Sequence, residues 1–316
     1  MSRQIIPLKY DWKFTRTDNA ESMAVAYDDS AWKSVRVPHD WAIAGPFDRE
    51  NDIQRIERKQ ADVVEGVTEI TGRTGGLPHV GVGWYRKGVS IPAEAAGKRV
   101  RLEIDGAMSR SQVYCNGSHL GEWPYGYSSF AFDLTDVIKA GEPNLIAVRL
   151  ENKTDSSRWY PGAGLYRNVR LVIMDSVHVA HWGTTVTTPQ VTRGSATVNL
   201  KTTIENHRGA SDVSLRTEIR DATSNVVASD AATAHVEGSL VFGQSFSVRN
   251  PKLWMPGQPN LYAITTEVLV DGVVVDAYGT PLGFRTLAFD QDRGFFINGS
   301  SIKSNGVCMH HDLGPL

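Results

Sequence analysis

Apolar and polar residues alternate along most of this chain, with the two-residue period of β-strands. The segment KRVRLEID places Val100, Leu102 and Ile104 on one face, and NLIAVRLEN alternates in the same way. Helical periodicity is nearly absent. Short strands of this kind, separated by turns rich in glycine and proline, predict an all-β fold built from β-sandwiches.

Asn-Gly and Asp-Gly pairs stand between several of these apolar runs. Such pairs accept the positive φ angles of tight hairpin turns, so each one predicts a β-hairpin. They are Asn116-Gly117, Asp271-Gly272 and Asn298-Gly299.

The amino-acid composition of the sequence changes near residue 175. Residues 179–287 are poorer in aromatic side chains, and roughly seven short strands in such a length are typical of an immunoglobulin-like sandwich. Residues 1–178 form a separate unit before it. The remaining residues, 288–316, are too few to bury a core of their own, so they are either a tail or the start of a further domain.

Composition and net charge limit the classes of partner that this chain is expected to bind. The 316 residues are 41% hydrophobic and carry a net charge of −2, so no basic excess indicates nucleic acid or an anionic membrane. No apolar run is long enough to cross a bilayer. The two cysteines lie far apart, which argues against a disulfide framework. A cytoplasmic location is expected because no leader is evident, and a leader removed beforehand stays open.

One polar segment does not fit the strand pattern. Residues 49–76 carry mixed charge and no apolar alternation, and they are long for a loop in a compact domain. Such loops are usually functional or mobile, and the sequence pattern does not distinguish between these two interpretations.

A cluster of chemically versatile residues, Cys308, His310, His311 and Asp312, lies close to residue 316. All four types can bind zinc. Adjacent histidines on a strand point to opposite faces, however, which disfavours a shared metal ion. A strand end that offers one polar residue to a pocket fits better, and ordinary surface or core histidines remain an alternative.

Two further stretches contain candidate site residues. In SSRWYPGAGLYRNVRL, Arg158 and Trp159 precede a glycine-rich turn, and such a pair suits either a sugar pocket or a packed turn with a stacked cation. In VRVPHDWAIAGPF, His39 and Asp40 are consecutive and lie between proline and tryptophan. They are interpreted as a structural corner rather than an acid–base pair.

Several phrases, taken together and in order, resemble glycoside hydrolase family two. They are DDSAWKSVRVPHDWAIAGPFD, GGLPHVGVGWYRK, VYCNGSHLGEWPYGYSSFAFDLTDVI, NLIAVRLEN, SSRWYPGAGLYRNVRL and FFINGSSIKSNGVCMHHDLG. The resemblance covers essentially the whole chain and is strongest to the amino-terminal part of a β-galactosidase of that family.

The resemblance implies a particular fold. Residues 1–178 would be a jelly-roll, galactose-binding-like β-sandwich called the sugar-binding domain. Residues 179–287 would be the immunoglobulin-like β-sandwich, and residues 288–316 would be a stub of a TIM (β/α)₈ barrel, truncated after its first strand.

The same resemblance implies site residues. His310 matches the histidine that the family places beside the sugar, with His311 and Asp312 next to it. Arg158 and Trp159 match the jelly-roll segment that completes the pocket. Arg158 stands about where some galactosidases carry an aspartate. The family's catalytic glutamates lie on later barrel strands, so no residue here is expected to be catalytic, and no metal or cofactor is expected.

The implied parent activity is retaining hydrolysis of terminal β-D-galactosides, and the 316-residue chain alone is expected to be inactive. Its expected partners are a carbohydrate substrate and the missing barrel. A stand-alone carbohydrate-binding module, a β-glucuronidase and a β-mannosidase are the alternatives. Family members assemble in several ways, so a homo-oligomer is compatible with the sequence.

Overall fold

The structure, a computed structural model, describes residues 3–46, 48, 50, 80–153 and 162–307, together with the backbone of 54–60 and 63–70. The predicted all-β class is confirmed. Helix is limited, in the described residues, to short 3₁₀ segments such as Ala20–Met23 and Ala93–Ala95. No described helix has the length and apolar character needed to cross a membrane.

The described residues contain strands that we number β1 to β20 in chain order. Their bounds are Gln4–Pro7, Trp12–Thr15, Lys33–Val35, Gln54–Gln60, Val63–Ile70, Gly81–Ser90, Arg99–Ile104, Ser111–Cys115, Ser118–Trp123, Phe130–Asp133, Pro143–Asn152, Val169–Met174, Val177–Val191, Ser195–Arg220, Val226–Arg249, Tyr262–Val270, Val273–Leu282, Leu287–Asp290, Gly294–Ile297 and Ser300–Ser301. Ile5–Ile173 form one compact unit, and Met174–Gly306 form another that also contains Arg3 and Gln4.

The first unit is a sandwich of two sheets. One sheet has the order β1-β12-β7-β10 and the other β3-β2-β6-β11-β8-β9. Their facing sides share one core, to which the two sheets contribute residues such as Leu102 and Trp12. Large aromatic side chains are prominent in it, and Trp12 and Tyr85 are each 0% exposed. This confirms the predicted jelly-roll type of sandwich.

The alternation that predicted these strands is confirmed in the core. Val100, Leu102 and Ile104 are buried along β7, as the period-two pattern requires. The turn between β8 and β9 is the predicted one, and Asn116 and Gly117 have φ angles of 51° and 84°.

Residues 54–60 and 63–70 pair as an antiparallel hairpin, β4 with β5. The sequence pattern indicated a long loop here. Strands whose residues do not alternate between apolar and polar carry no period-two signal, so this hairpin was not recognisable from the pattern.

The second unit contains five long strands, β13 to β17, in one hydrogen-bonded network. The expectation of seven short strands was wrong in count. β14 spans 26 residues and β15 spans 24, and their pairing is interrupted between Asn206 and Ser211. Gly209 and Gly238 have positive φ angles at this interruption. Each long strand therefore continues where the sequence predicted two shorter ones, and the immunoglobulin-like sandwich type is retained.

The second core is mainly aliphatic, in two clusters around residues such as Val268 and Ile264. It also contains an ion pair. Arg3 Nη2 lies 2.9 Å from Asp276 Oδ2, and the two side chains are 7% and 0% exposed. Arg3 Nε also donates to Asp276 Oδ1 at 3.2 Å, and the backbone N–H of Val179 donates to Oδ2 at 2.9 Å.

Strands β18 to β20 form a small antiparallel sheet at the end of the described chain. The predicted hairpin at Asn298-Gly299 is confirmed, with φ angles of 51° and 77°. Asn298 also donates from Nδ2 to the Trp254 carbonyl at 3.0 Å. The assignment of residues 288–316 to a barrel stays a prediction.

Candidate functional site

All five residues predicted to contact substrate lie outside the described part of the chain. They are Arg158, Trp159, His310, His311 and Asp312. The structure does describe the residues on both sides of the 154–161 segment, and these show how the first sandwich fixes its two ends.

Asn152 and Gly162 flank that segment, and they are joined by a hydrogen bond. Asn152 ends β11 and is 2% exposed. Its Nδ2 donates to the Gly162 carbonyl at 2.9 Å, and its Oδ1 accepts from Ser109 Oγ at 3.1 Å. Ser109 Oγ also lies 2.8 Å from the Glu151 carbonyl. A buried amide thus holds the two ends of the predicted sugar-contacting segment together.

The stretch after the segment is clamped between two loops. His39 N donates to the Leu165 carbonyl at 2.8 Å, and Trp41 N donates to the Ala163 carbonyl at 3.0 Å. On the other side, Met108 and Gly164 exchange backbone hydrogen bonds of 2.9 and 3.1 Å. Four backbone contacts therefore fix this stretch in place.

Gly164 is required by its surroundings. Its φ angle is +120°, and a Cβ atom there would lie 2.6 Å from the His39 carbonyl oxygen and would also clash with the Tyr85 hydroxyl. Only glycine combines that backbone conformation with so close an approach.

His39 and Asp40 form the structural corner that the sequence indicated. His39 Nδ1 lies 2.7 Å from the Tyr85 hydroxyl, and Asp40 Oδ1 accepts from Ala42 N at 2.9 Å. Burial, with a smaller contribution from Lys33, lowers the pKa of His39 to about 4. Burial also raises the pKa of Tyr85, so the pair is a neutral imidazole with a protonated phenol.

An aromatic cluster supports this corner. The Phe14 ring lies 4.8 Å from those of His39 and Tyr85 and stacks on Trp41 at 5.8 Å. The buried Nε1 of Trp41 has no hydrogen-bond partner in the structure as described. A buried indole N–H without a partner is unusual.

Exposed aromatic rings lie beside the clamped stretch. Tyr125 and Tyr127 are 59% and 51% exposed, with ring centroids 5.6 Å apart. Tyr166 ties this loop to the clamp, because its hydroxyl donates to the Gly126 carbonyl at 2.8 Å. Rings exposed in this way can stack on the C–H faces of sugars.

The described residues around the clamped stretch offer hydrogen-bond donors and aromatic faces rather than reacting groups. His39 and Asp40 are engaged in structural contacts, as described above. The Cys115 thiol is buried, and burial raises its pKa to about 11, which makes it a poor nucleophile. The arrangement suits the holding of a ligand or of another protein segment.

Metal-ligating side chains come together elsewhere, in the second sandwich. His178, Glu205 and His207 place one ligand atom each within 4.8 Å of one another. The sequence pattern missed this group, because His178 and Glu205 lie 27 positions apart and no local motif connects them. Only the strand register brings them together.

Comparison with known proteins decides the family. The profile described as "Glycosyl hydrolases family 2, sugar binding domain" matches residues 6–174, and "Glycosyl hydrolases family 2" matches residues 177–285. The chain belongs to glycosyl hydrolase family 2. The resemblance stated from the sequence motifs is thereby confirmed.

Individual members of family 2 extend this finding. Beta-galactosidase BoGH2A from Bacteroides ovatus is 40% identical over 310 residues, which are 97% of this chain and 34% of that protein. A putative beta-glucuronidase from Formosa agariphila is 33% identical over 309 residues, 97% of this chain and 27% of that protein. The chain therefore spans about a third of the length of these curated relatives.

A solved structure agrees with the fold. A glycosyl hydrolase family 2 member from Bacteroides cellulosilyticus superposes with a TM-score of 0.87 at 32% identity, covering 99% of this chain and 39% of that one. The fold is therefore shared with this family 2 member along 99% of the present chain.

Proposed function

We propose that this chain is the amino-terminal part of a retaining exo-glycosidase that hydrolyses terminal β-D-galactosides. The observation that carries the proposal is the 40% identity to beta-galactosidase BoGH2A along 97% of the chain. The putative beta-glucuronidase from Formosa agariphila is less similar, at 33% over a comparable length.

In this proposal the first sandwich serves a catalytic barrel. The clamp around Gly162 and Gly164 would hold the end of the 154–161 segment, from which Arg158 would donate to sugar hydroxyls and Trp159 would stack on a sugar face. His310, with His311 and Asp312, would reach the sugar from the end of the first barrel strand, where barrel active sites lie.

In this proposal the glycosidic bond is cleaved by two glutamates of the catalytic barrel. In retaining enzymes one carboxylate attacks the anomeric carbon and forms a glycosyl-enzyme, while the other protonates the leaving oxygen and then activates water. The isolated chain is therefore expected to hydrolyse no chromogenic β-galactoside.

A pair of chimaeras tests the proposal. In the first, this chain replaces the aligned third of BoGH2A, and in the second it replaces the aligned part of the Formosa agariphila protein. We expect the BoGH2A chimaera to keep the larger fraction of its parent's kcat/KM, because its interface with the barrel is closer to the native one. A larger retained fraction in the glucuronidase chimaera would overturn the galactosidase assignment.

The Formosa agariphila relative, a putative beta-glucuronidase, supports one alternative, a β-glucuronidase parent. An alternative from another class is a carbohydrate-binding module that works without a barrel. Calorimetric titration of the isolated chain with galactose and lactose separates it from our proposal. We expect weak or no heat of binding, and a clear micromolar affinity would favour the module.

A further inference from the structure

Three metal-ligating side chains share one face of the ladder between β13 and β14. His178 on β13 pairs directly with Glu205 on β14. His207 follows two positions after Glu205, so it points to the same side of the strand. The His207 N–H donates to the Ser176 carbonyl at 2.9 Å, which keeps this end of the ladder in register.

The ligand atoms already lie at distances close to those around a metal ion. His178 Nε2 is 3.2 Å from Glu205 Oε2, and His207 Nε2 is 3.7 Å from the same oxygen. Tetrahedral zinc with bonds of roughly 2.0–2.1 Å separates its ligand atoms by about 3.3 Å. Small side-chain adjustments would therefore complete the geometry, since all three ligand atoms lie within 4.8 Å of one another.

The hydrogen bonding of His178 fixes which nitrogen faces Glu205. Its Nδ1 lies 2.7 Å from the backbone carbonyl oxygen of Asp175, which can only accept, so Nδ1 carries a proton. In the neutral ring Nε2 then presents a lone pair to a carboxylate oxygen, which is also an acceptor. Two acceptors this close need a cation between them.

His178 is held in the orientation that a metal ligand needs. Its side chain is 2% exposed, and its Nδ1–H is bonded to the Asp175 carbonyl at 2.7 Å. A histidine that donates Nδ1–H to a backbone carbonyl and turns Nε2 to the site is also the usual arrangement of a metal ligand.

We propose that His178, Glu205 and His207 bind one divalent transition-metal ion of the zinc type. Two imidazoles and one carboxylate favour zinc over calcium or magnesium, which prefer all-oxygen sites. Glu205 and His207 are 39% and 41% exposed, so water can complete the coordination from the open side. The ion would join β13 to β14 as a structural staple of the second sandwich. This departs from the expectation, drawn from the family resemblance, that no metal is bound here.

Zinc titration of the complete 316-residue chain tests the site. The protein is first freed of metal with a chelator, then titrated calorimetrically with Zn²⁺ and followed spectroscopically with Co²⁺. We expect one saturable site per chain. Glu205→Gln and His207→Ala should each weaken binding on the order of tenfold or more, since each removes one of three ligands.

The matched control is His235→Ala, which also removes a histidine from the second sandwich. His235 is 66% exposed, its Nδ1 lies 2.8 Å from Asp212 Oδ1, and it is not one of the three clustered ligands. Its removal should leave the affinity unchanged. Circular dichroism of each variant confirms that it is folded.

A second control tests whether the cluster near residue 316 contributes to zinc binding. A variant with Cys308→Ser, His310→Ala and His311→Ala should bind Zn²⁺ like the parent, and the Co²⁺ complex should show no thiolate charge-transfer band. The proposal is overturned if the parent has no saturable site, if binding survives both ligand substitutions, or if binding disappears in this second control.

Discussion

His39 in the first sandwich is partly buried and His178 in the second is fully buried, and burial lowers the pKa of each ring. Their partners differ. The Tyr85 hydroxyl can donate to the Nδ1 of His39 at 2.7 Å, whereas the Glu205 carboxylate can only accept from His178. A buried histidine whose ring nitrogen accepts a hydrogen bond from a neutral donor needs no further partner there, so it can have a purely structural role. His178 faces acceptors at both ring nitrogens, and it is the residue that we propose as a metal ligand.

The two neighbourhoods also differ in how they are held. Around His39, backbone hydrogen bonds and aromatic rings clamp a glycine-rich stretch. Around His178, burial is joined by a hydrogen bond to the Asp175 carbonyl and by charged neighbours, since Glu205, Arg3 and Asp276 also contribute to its pKa. Substitutions around His39 and around His178 should therefore destabilise the protein for different physical reasons. Local amide hydrogen exchange can assign each loss of stability to one of the two sandwiches.

The largest effect is expected at the buried ion pair of the second sandwich. Asp276→Ala leaves Arg3 without its partner and Val179 N without its acceptor, and should lower the free energy of unfolding by about 3–5 kcal/mol. The loss of exchange protection should be confined to peptides of residues 174–306. Asp212→Ala is the control, because Asp212 is 79% exposed and should change stability by less than about 0.5 kcal/mol. Equal effects of the two substitutions would contradict this account.

The corresponding test of the first sandwich is Gly164→Ala. The added Cβ meets the His39 carbonyl at a backbone conformation unsuited to side chains, so we expect destabilisation of about 3 kcal/mol in urea unfolding. Gly97→Ala provides a matched control. Its φ angle is +76° but no atom lies within 4 Å of the added Cβ, so about 1 kcal/mol is expected. A Gly164 variant no worse than the Gly97 variant would show that the clamp is not tightly packed.

A smaller effect is expected from Tyr85→Phe, which removes only the hydroxyl that faces His39. The loss should be about 1–2 kcal/mol, because a buried ring nitrogen is left without its partner. Tyr125→Phe, at a residue 59% exposed, should be neutral in the same urea measurement. A neutral Tyr85→Phe would mean that the corner does not depend on this hydrogen bond.

The pH dependence of stability should reveal the neutral state of His39. Its folded pKa is about 4, and the unfolded value is about 6.5, so the unfolded state binds more protons between these values. Its contribution to stability is present above pH 6.5 and is lost as the pH falls towards 4. His39→Gln should flatten the fall in urea midpoint over this window, and an unchanged slope would contradict the assignment.

Much of the fold was predictable from local pattern. The alternation at Val100, Leu102 and Ile104 and the Asn116-Gly117 turn each follow from a few adjacent residues. The length of β14 was not predictable, because its continuation past Asn206 depends on glycines and pairing partners far along the chain. The sequence identified His39 and Asp40 as a corner, since proline and tryptophan flank them. The His178 and Glu205 pair depends on strand register, which sequence alone does not reveal. Arg158, Trp159, His310, His311 and Asp312 remain predictions from the family motifs.

We propose that the first sandwich completes the sugar pocket of a galactosidase. The most direct test is kcat/KM for a chromogenic β-galactoside, measured on the BoGH2A chimaera with Arg158→Ala or Trp159→Ala, and with Arg193→Ala as an exposed control. We predict that each of the first two substitutions lowers kcat/KM on the order of tenfold, through lost contacts with the sugar, while the control has no effect. Undiminished kcat/KM in both the Arg158 and Trp159 variants, with the chimaera folded and active, would contradict the account.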